Sequence, residues 1–197
     1  MKKYVVPALI LASYLLLMIL QINCAPQEKK ELTKEEMVKR GKYLVNFGGC
    51  NDCHSPKVFT QMGPVPDTTK LLSGHPAGTK LFPVDTSVTG SKWTYSSMDL
   101  TAWVGPWGVS FPVNLTPDGA TGLGNWTDEI FIKAMRTGKH MGFGRPILPP
   151  MPWQSLAGLE DEDLKAILAY LKSLPPISNQ VPDPIPPNMI AQTINKK

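Results

Sequence analysis

The pentapeptide Cys50-Asn51-Asp52-Cys53-His54 constrains this chain more than any other feature of its sequence. Two cysteines three positions apart, followed directly by a histidine, are typical of a c-type heme attachment site. One turn of chain places both thiols under the two vinyl groups of one porphyrin, and His54 is then held where an imidazole nitrogen can bind the iron. The motif therefore predicts a fold that encloses a large, flat, apolar cofactor.

Zinc binding and thiol–disulfide exchange also use Cys-x-x-Cys pairs. Zinc needs two further ligands, and the chain has only one more cysteine, Cys24, and two more histidines, none of them at zinc spacing. A redox pair of the thioredoxin type expects a βαβ context, and the sequence shows none. One covalently bound heme c is therefore the predicted cofactor.

Length and composition limit the remaining possibilities. The 197 residues allow one domain with appendages, and the 20 prolines indicate long irregular segments. The formal net charge is +4, and Lys2 and Lys3 in the N-terminal segment account for two of these charges. The remainder is close to neutral, and no basic run is interleaved with aromatic residues. We therefore expect no nucleic-acid partner.

The N-terminus has the pattern of an export segment. Lys2 and Lys3 precede an apolar run over residues 4–22, which is also close to the length that spans a bilayer. Residues 1–24 are therefore predicted to be a signal sequence or membrane anchor. The heme domain is expected on the periplasmic side of a bacterial membrane, where c-type heme is attached.

Cys24 needs its own explanation if the heme takes the other two cysteines. It lies where a lipid-modified cysteine would end a lipoprotein signal, and we favour this interpretation. Ile22-Asn23 is a poor match to the small residues that usually precede such a cysteine. The alternative is that Cys24 ends an uncleaved anchor, and both alternatives tether the chain at the membrane.

Helical signals follow a polar spacer over residues 25–32 and define a heme domain over 33–176. Thr33 and Glu36 form a capping box for a first helix that runs to about Phe47. Gly41 lies where another helix could approach closely. Two further helices are predicted, one following Thr127 and ending at Gly138, the other over 161–174.

The rest of the chain has weaker signals. Residues 55–125 show no long periodic segment, and residues 177–197 form a proline-rich tail that either wraps the surface or is disordered. Four aromatic residues of the irregular segment could line the heme or form a satellite core, and these are Trp93, Trp103, Trp107 and Phe111.

A second axial ligand decides between electron transfer and chemistry at the iron. Met151 stands out because Pro149-Pro150 and Pro152 stiffen the backbone on both sides of its thioether. Met141 is the alternative methionine. His75 and His140 would each give a bis-histidine heme of lower potential, but most lone histidines are structural or exposed.

With these residues, the chain resembles the class I c-type cytochromes, and more narrowly the heme domains of the cytochrome c subunits of bacterial alcohol dehydrogenases. The resemblance extends over residues 33–176, and its matching pieces are Gly41-Lys42-Tyr43-Leu44, the heme motif, Asn114-Leu115-Thr116-Pro117-Asp118, Gly124-Asn125-Trp126-Thr127-Asp128, Lys133-Ala134-Met135-Arg136-Thr137-Gly138, Pro150-Met151-Pro152-Trp153 and the stretch from Leu164 to Pro176. Those subunits usually carry several heme motifs, whereas this chain has one. Residues 68–113 are also longer than usual.

The resemblance implies an all-α, cytochrome c-like fold around one heme, with long irregular loops and with the first and last helices crossing. It implies iron ligation by His54 and Met151, and it places Asn114 and Trp126 in segments near the heme edge. In such domains a proline carbonyl on the proximal side often accepts a hydrogen bond from the ligand histidine, and Pro64 is the candidate here. The implied function is one-electron transfer with a dehydrogenase or oxidase as redox partner, rather than catalysis. A peroxidase-like heme enzyme or a heme-based sensor is the alternative, and each needs an open iron site.

Overall fold

The computed structural model describes Tyr14 and residues 31–194. The chain divides into two compact units, Met1–Leu32 and Thr33–Lys197. Apart from Tyr14, the predicted export segment, which includes Cys24, lies outside the described residues. Within the described part of the chain, no helix combines the length and the apolar character needed to cross a membrane.

The second unit consists of short helices joined by long loops. Its α-helices are α1 (Lys34–Phe47), α2 (Cys50–His54), α3 (Asp128–Thr137), α4 (Trp153–Ala157), α5 (Asp161–Lys172) and α6 (Ile190–Thr193). Its strands are β1 (Lys57–Thr60), β2 (Gly63–Pro66), β3 (Tyr95–Ser96), β4 (Trp103–Gly105) and β5 (Gly108–Ser110).

The capping signals are confirmed at two helices. The side chain of Thr33 accepts a hydrogen bond from the Glu36 backbone, and the Glu36 carboxylate accepts one from the Thr33 backbone. The side chain of Thr127 likewise accepts a hydrogen bond at the start of α3. Gly138 ends α3 in the left-handed conformation, as the C′ pattern predicts.

Helix α1 crosses helix α5, and the crossing occurs at Gly41. A Cβ atom placed on Gly41 would lie 1.8 Å from the carbonyl oxygen of Ala166 and 2.8 Å from Cβ of Tyr170. Beside this contact, Arg40 donates two hydrogen bonds to the Asp163 carboxylate at 2.9 and 3.1 Å. The prediction that Gly41 permits close approach of another helix is confirmed, and that helix is α5.

The all-α prediction was too narrow. Strands β1 and β2 form an antiparallel hairpin, and β3, β4 and β5 form a second antiparallel sheet. All five lie within residues 55–125, which show no long periodic segment in the sequence. Strands of two to four residues are too short for an alternating apolar pattern to be visible, which is why the sequence did not reveal them.

The side chains bury two apolar clusters. The main cluster joins α1, α3 and α5 through residues such as Val45, Phe131 and Leu168. The second lies beneath the three-stranded sheet and contains Val104, Val109 and Phe111. These three residues pack there with two apolar residues of the tail, Ile185 and Ile190.

The proline-rich tail wraps the domain as far as the structure describes it. Ile185 exchanges backbone hydrogen bonds with Val109 at 2.8 and 2.9 Å, and Ile190 is completely buried. Asn179 donates from its side chain to the carbonyl oxygens of Ser73 and His75. The tail is therefore part of the packed domain and ties down the loop that follows β2.

Candidate heme site

Helix α2 carries the heme motif. Gly49 precedes it with φ of +65°, and a side chain there would approach Asp52, so the turn into α2 requires glycine. Cys50 and Cys53 lie one turn apart on α2, and neither forms a disulfide. Burial raises the pKa of both thiols, so they remain protonated at neutral pH.

His54 is held in one orientation by a distant backbone group. Its side chain is 7% exposed, and Nδ1 lies 2.8 Å from the carbonyl oxygen of Val113. A carbonyl can only accept, so Nδ1 carries the proton and donates it. Burial lowers the pKa of His54 to about 4, while the bond to Val113 acts in the opposite direction. The imidazole is therefore neutral, and its Nε2 keeps a free lone pair.

The sequence does not reveal that the Val113 carbonyl accepts this hydrogen bond. Pro64, the predicted acceptor of the histidine hydrogen bond, does not accept it, so that prediction is wrong. Pro64 lies in β2, opposite Phe59 of β1. Val113 is 59 residues from His54 and contributes only a backbone oxygen, which no side-chain pattern reveals.

An apolar cavity opens beside α2 between the main core and the loops. It contains about 1150 Å³ of empty space, counting the part open to solvent. Cys53 and His54 form part of its wall. The other lining residues are mostly apolar and include Trp103, Phe111, Leu115, Leu123, Trp126, Phe131, Met135, Ile147 and Met151. The structure thus brings the heme motif and the predicted methionine to one cavity.

The Met151 loop is fixed from outside as well as by its own prolines. The Pro149–Pro150 peptide bond is cis, and Ser110 at the end of β5 donates to the Pro149 carbonyl at 2.6 Å. Trp107 in turn donates to the Ser110 hydroxyl at 3.1 Å. The half-buried Met151 also packs against the main core. Ser110 is a supporting residue that the sequence pattern did not indicate.

The fold places the three alternative axial ligands, His140, Met141 and His75, differently: one of them lines the heme cavity and two do not. His140 lines the same cavity as Met151, and its ring packs edge-on against Trp126 at 5.2 Å between centroids. Met141 does not line this cavity, although it packs on the main core. His75 lines a different cavity. Of the four candidate ligands named from the sequence, Met151 and His140 are therefore the two that line the heme cavity.

Four aromatic residues were predicted either to line the heme or to form a satellite core, and the structure gives them different roles. Trp103 lines the heme cavity. Phe111 does so too, and it also belongs to the second core. Trp107 supports the Met151 loop through Ser110. Trp93 is 79% exposed and serves neither role.

Of the two expected pocket residues, only Trp126 faces the cavity, where it is buried and packs against Phe131. Asn114 is buried but does not line this space. Its amide nitrogen donates to Thr121 and to the Ile177 carbonyl, and its oxygen accepts two bonds from Thr116. Asn114 therefore joins the tail to the loop that carries Val113.

Replacing Asn114 with alanine should lower the free energy of unfolding by about 2–3 kcal/mol, because buried polar groups would lose their partners. Guanidinium unfolding of the heme-loaded protein measures this change. Asn125→Ala is the matched control, since Asn125 is exposed and donates one bond to Gly119. Equal losses for the two variants would contradict the role given to Asn114.

Lys57 supports the heme helix from its C-terminal end. Its ammonium group donates to the carbonyl oxygens of Asn51, Asp52 and Ser55 at 3.0, 2.9 and 2.5 Å. A cation at this end of a helix is stabilised by the helix dipole. Since it lies three residues beyond His54, it also places a partly buried positive charge close to the predicted iron ligand.

Lys57→Gln should destabilise the protein by about 1–2 kcal/mol, because charge-assisted hydrogen bonds to three carbonyls are lost. It should also lower the reduction potential, since a nearby positive charge disfavours the oxidised, more positive iron. Thermal unfolding and a redox titration measure the two effects. Lys92→Gln, which removes an exposed lysine, should leave both values unchanged.

The residues of the cavity fit a c-type heme. Two free thiols stand one turn apart on α2, and a neutral, buried imidazole offers a free Nε2. The wall is apolar, and Arg145 supplies a cation that suits an acidic substituent of a porphyrin. Cys50 and Cys53 would hold the macrocycle through thioethers, and His54 would bind its iron.

Comparison with known proteins agrees with this geometry. The sequence model of the family described as Cytochrome c matches residues 38–175, which is more than half of the chain. The chain belongs to the cytochrome c family. Membership implies a covalently bound heme c, and it confirms the resemblance to c-type cytochromes.

Similar proteins are subunits of bacterial dehydrogenases. The chain is 32% identical over 136 residues to the gluconate 2-dehydrogenase cytochrome c subunit of Pantoea cypripedii, covering 69% of this chain and 23% of that one. It is 27% identical over 152 residues to the cytochrome c subunit of alcohol dehydrogenase (quinone) from Gluconobacter oxydans, covering 76% and 24%. It is 28% identical over 146 residues to a subunit of nicotinate dehydrogenase from Pseudomonas putida, covering 74% and 9%.

This cytochrome c-type chain thus spans about a quarter or less of the length of these curated relatives. The relatives named as cytochrome c subunits support electron transfer by a c-type cytochrome, and an electron carrier rather than a catalytic subunit.

Proposed function

We propose that this protein is a mono-heme c-type cytochrome that transfers single electrons with His54 and Met151 as axial ligands. The observation that carries the proposal is that both side chains line one apolar cavity, beside the two free cysteines of α2. When bound, the heme supplies an iron that accepts and returns one electron.

The chain contributes rigidity and exclusion of water. The Val113 carbonyl orients His54, and Ser110 together with the flanking prolines holds the Met151 loop. A thioether ligand and a buried site both favour the reduced iron and raise the potential. Because the ligands are held on packed elements, little rearrangement should accompany each transfer.

Met151 is preferred over His140 on structural grounds. Its loop is tied to β5, whereas the His140 ring is already engaged with Trp126. Burial also lowers the pKa of His140, which fits a side chain packed in the wall. The same position of His140, near Arg145, is what a peroxidase-like enzyme or a sensor would use if the iron site were open.

We further propose a tethered relay. The N-terminal segment with Cys24 would anchor the domain on the periplasmic side of the membrane, and a dehydrogenase or oxidase would exchange electrons with it. The support is the sequence pattern of residues 1–24 and the names of the relatives.

The visible spectrum of the purified, membrane-released protein tests the ligation. A weak far-red band in the oxidised form, characteristic of a bond between ferric iron and a methionine sulfur, is expected. Its absence from a protein with covalent heme would reject Met151 ligation. A spectrum of two nitrogen ligands would then indicate His140, and a high-spin spectrum would favour the enzyme or the sensor.

A further inference from the structure

A second cavity lies in the same compact unit and is separate from the heme cavity. It lies between residues 75–84 and the three-stranded sheet, with about 1270 Å³ of empty space including the part open to solvent. Ala102, Val104 and Val109 of the second core form its inner wall, together with His75. Nothing in the proposed electron-transfer function uses this space.

The proton positions around His75 follow from a chain of hydrogen bonds. Hydrogen bonds from Ser97 and Thr101 lower the pKa of Asp99 in spite of its burial, so this carboxylate is ionised and can only accept. The Thr101 hydroxyl donates its single proton to Asp99 at 2.8 Å. His75 Nδ1 lies 2.9 Å from the same hydroxyl and must therefore donate to it.

This assignment leaves Nε2 of His75 as an acceptor without a donor. Burial also lowers the pKa of His75, so the ring is neutral and carries one proton, on Nδ1. The side chain is 1% exposed, and Nε2 is the buried side-chain nitrogen or oxygen that lacks a hydrogen-bond partner within residues 31–194. Such atoms are rare because an unmade buried hydrogen bond costs about 1–3 kcal/mol.

The rim of the cavity is also unusual for a solvent-facing surface. Phe59 is 61% exposed, Phe82 is 84% exposed and Met98 is 77% exposed, and all three line the opening. Grouped exposed apolar side chains of this kind mark binding sites in soluble domains. The rim and wall suit an aromatic body, and His75 in the wall contributes the acceptor that lacks a donor.

We propose that this cavity binds a small aromatic hydroxyl compound whose O–H group donates to Nε2 of His75. An ether or a ketone of the same shape has no proton to donate and would leave Nε2 unpaired. Since Nε2 has no exposed surface, a ligand reaches it when the side chains around His75 move. The proposal does not depend on heme chemistry.

Isothermal titration of the heme-loaded protein with phenol and with its methyl ether, anisole, tests the proposal. Phenol should bind about tenfold more tightly than anisole, which corresponds to one buried hydrogen bond. Equal affinities, or no measurable binding of either compound, would overturn it. Binding that perturbs the heme spectrum would also overturn it, because the probes would then occupy the heme cavity.

Three variants distinguish a role of His75 in binding the ligand from a role in stabilising the fold. His75→Phe keeps an aromatic ring against Phe111 and should abolish the preference for phenol. Thr101→Val keeps His75 but removes the group that fixes its proton, so the preference should fall several-fold. Phe82→Ser alters only the exposed rim and should lower the affinities for phenol and anisole by the same factor. A preference that persists in a folded His75→Phe or Thr101→Val protein would contradict the assignment.

Discussion

Replacing Met151 with alanine should lower the reduction potential by on the order of 0.1 V while the heme stays covalently attached, since axial ligands tune heme potentials over about 0.8 V. The cysteines and His54 are untouched by this change. The side of the iron that Met151 covers would be open, so the reduced protein should bind carbon monoxide. A redox titration and a carbon monoxide difference spectrum measure the two effects.

Met141→Ala is the matched control. Met141 packs against the main core but does not line the heme cavity, so its removal should leave the potential and the carbon monoxide response unchanged. If Met151→Ala behaved like the wild type, Met151 would not be the ligand. His140→Ala would then be the next variant to test, because His140 lines the same cavity.

Replacing Gly41 with alanine should have the largest effect on stability. The added Cβ would lie 1.8 Å from the Ala166 carbonyl oxygen, and backbone atoms cannot move aside as the end of a side chain can. The crossing of α1 and α5 would have to separate, which should cost about 3 kcal/mol or more. Thermal or guanidinium unfolding of the heme-loaded protein measures the loss.

Gly90→Ala provides the control for Gly41→Ala. A Cβ on Gly90 meets nothing within 4 Å, and Gly90 ends a short 3-10 turn in the loop between β2 and β3. This substitution should change the free energy of unfolding by less than about 1 kcal/mol. A stable Gly41→Ala protein would show that the two helices do not cross as closely as described.

The sequence predicted the features that depend on neighbouring residues. The cap of α1 joins residues three positions apart, and so does the cap of α3. The left-handed end of α3 requires only Gly138. The heme motif belongs to the same class, because two thiols one helical turn apart and an adjacent histidine need no distant partner. Features that are local in the chain can therefore be predicted from the chain.

Lys57 stands between the features that the sequence predicts and those that only the tertiary structure decides. A cation just beyond a helix C-terminus is a recognisable signal, but the five-residue helix α2 was itself visible only as a heme motif. The short strands are another such case, since they contain too few residues to show a period. In both cases the sequence signal was present but too short to predict the element.

The tertiary structure alone decided which distant groups complete the site. It selected the carbonyl of Val113 for His54, tied the Met151 loop to Ser110, and placed His75 in a separate cavity. It also used the tail to fill the second core. Backbone carbonyls and buried apolar residues look alike along a sequence. Their roles are assigned only when the packing of the two cores brings distant residues into contact, as with the 59 residues between His54 and Val113 or the 106 between Ser73 and Asn179.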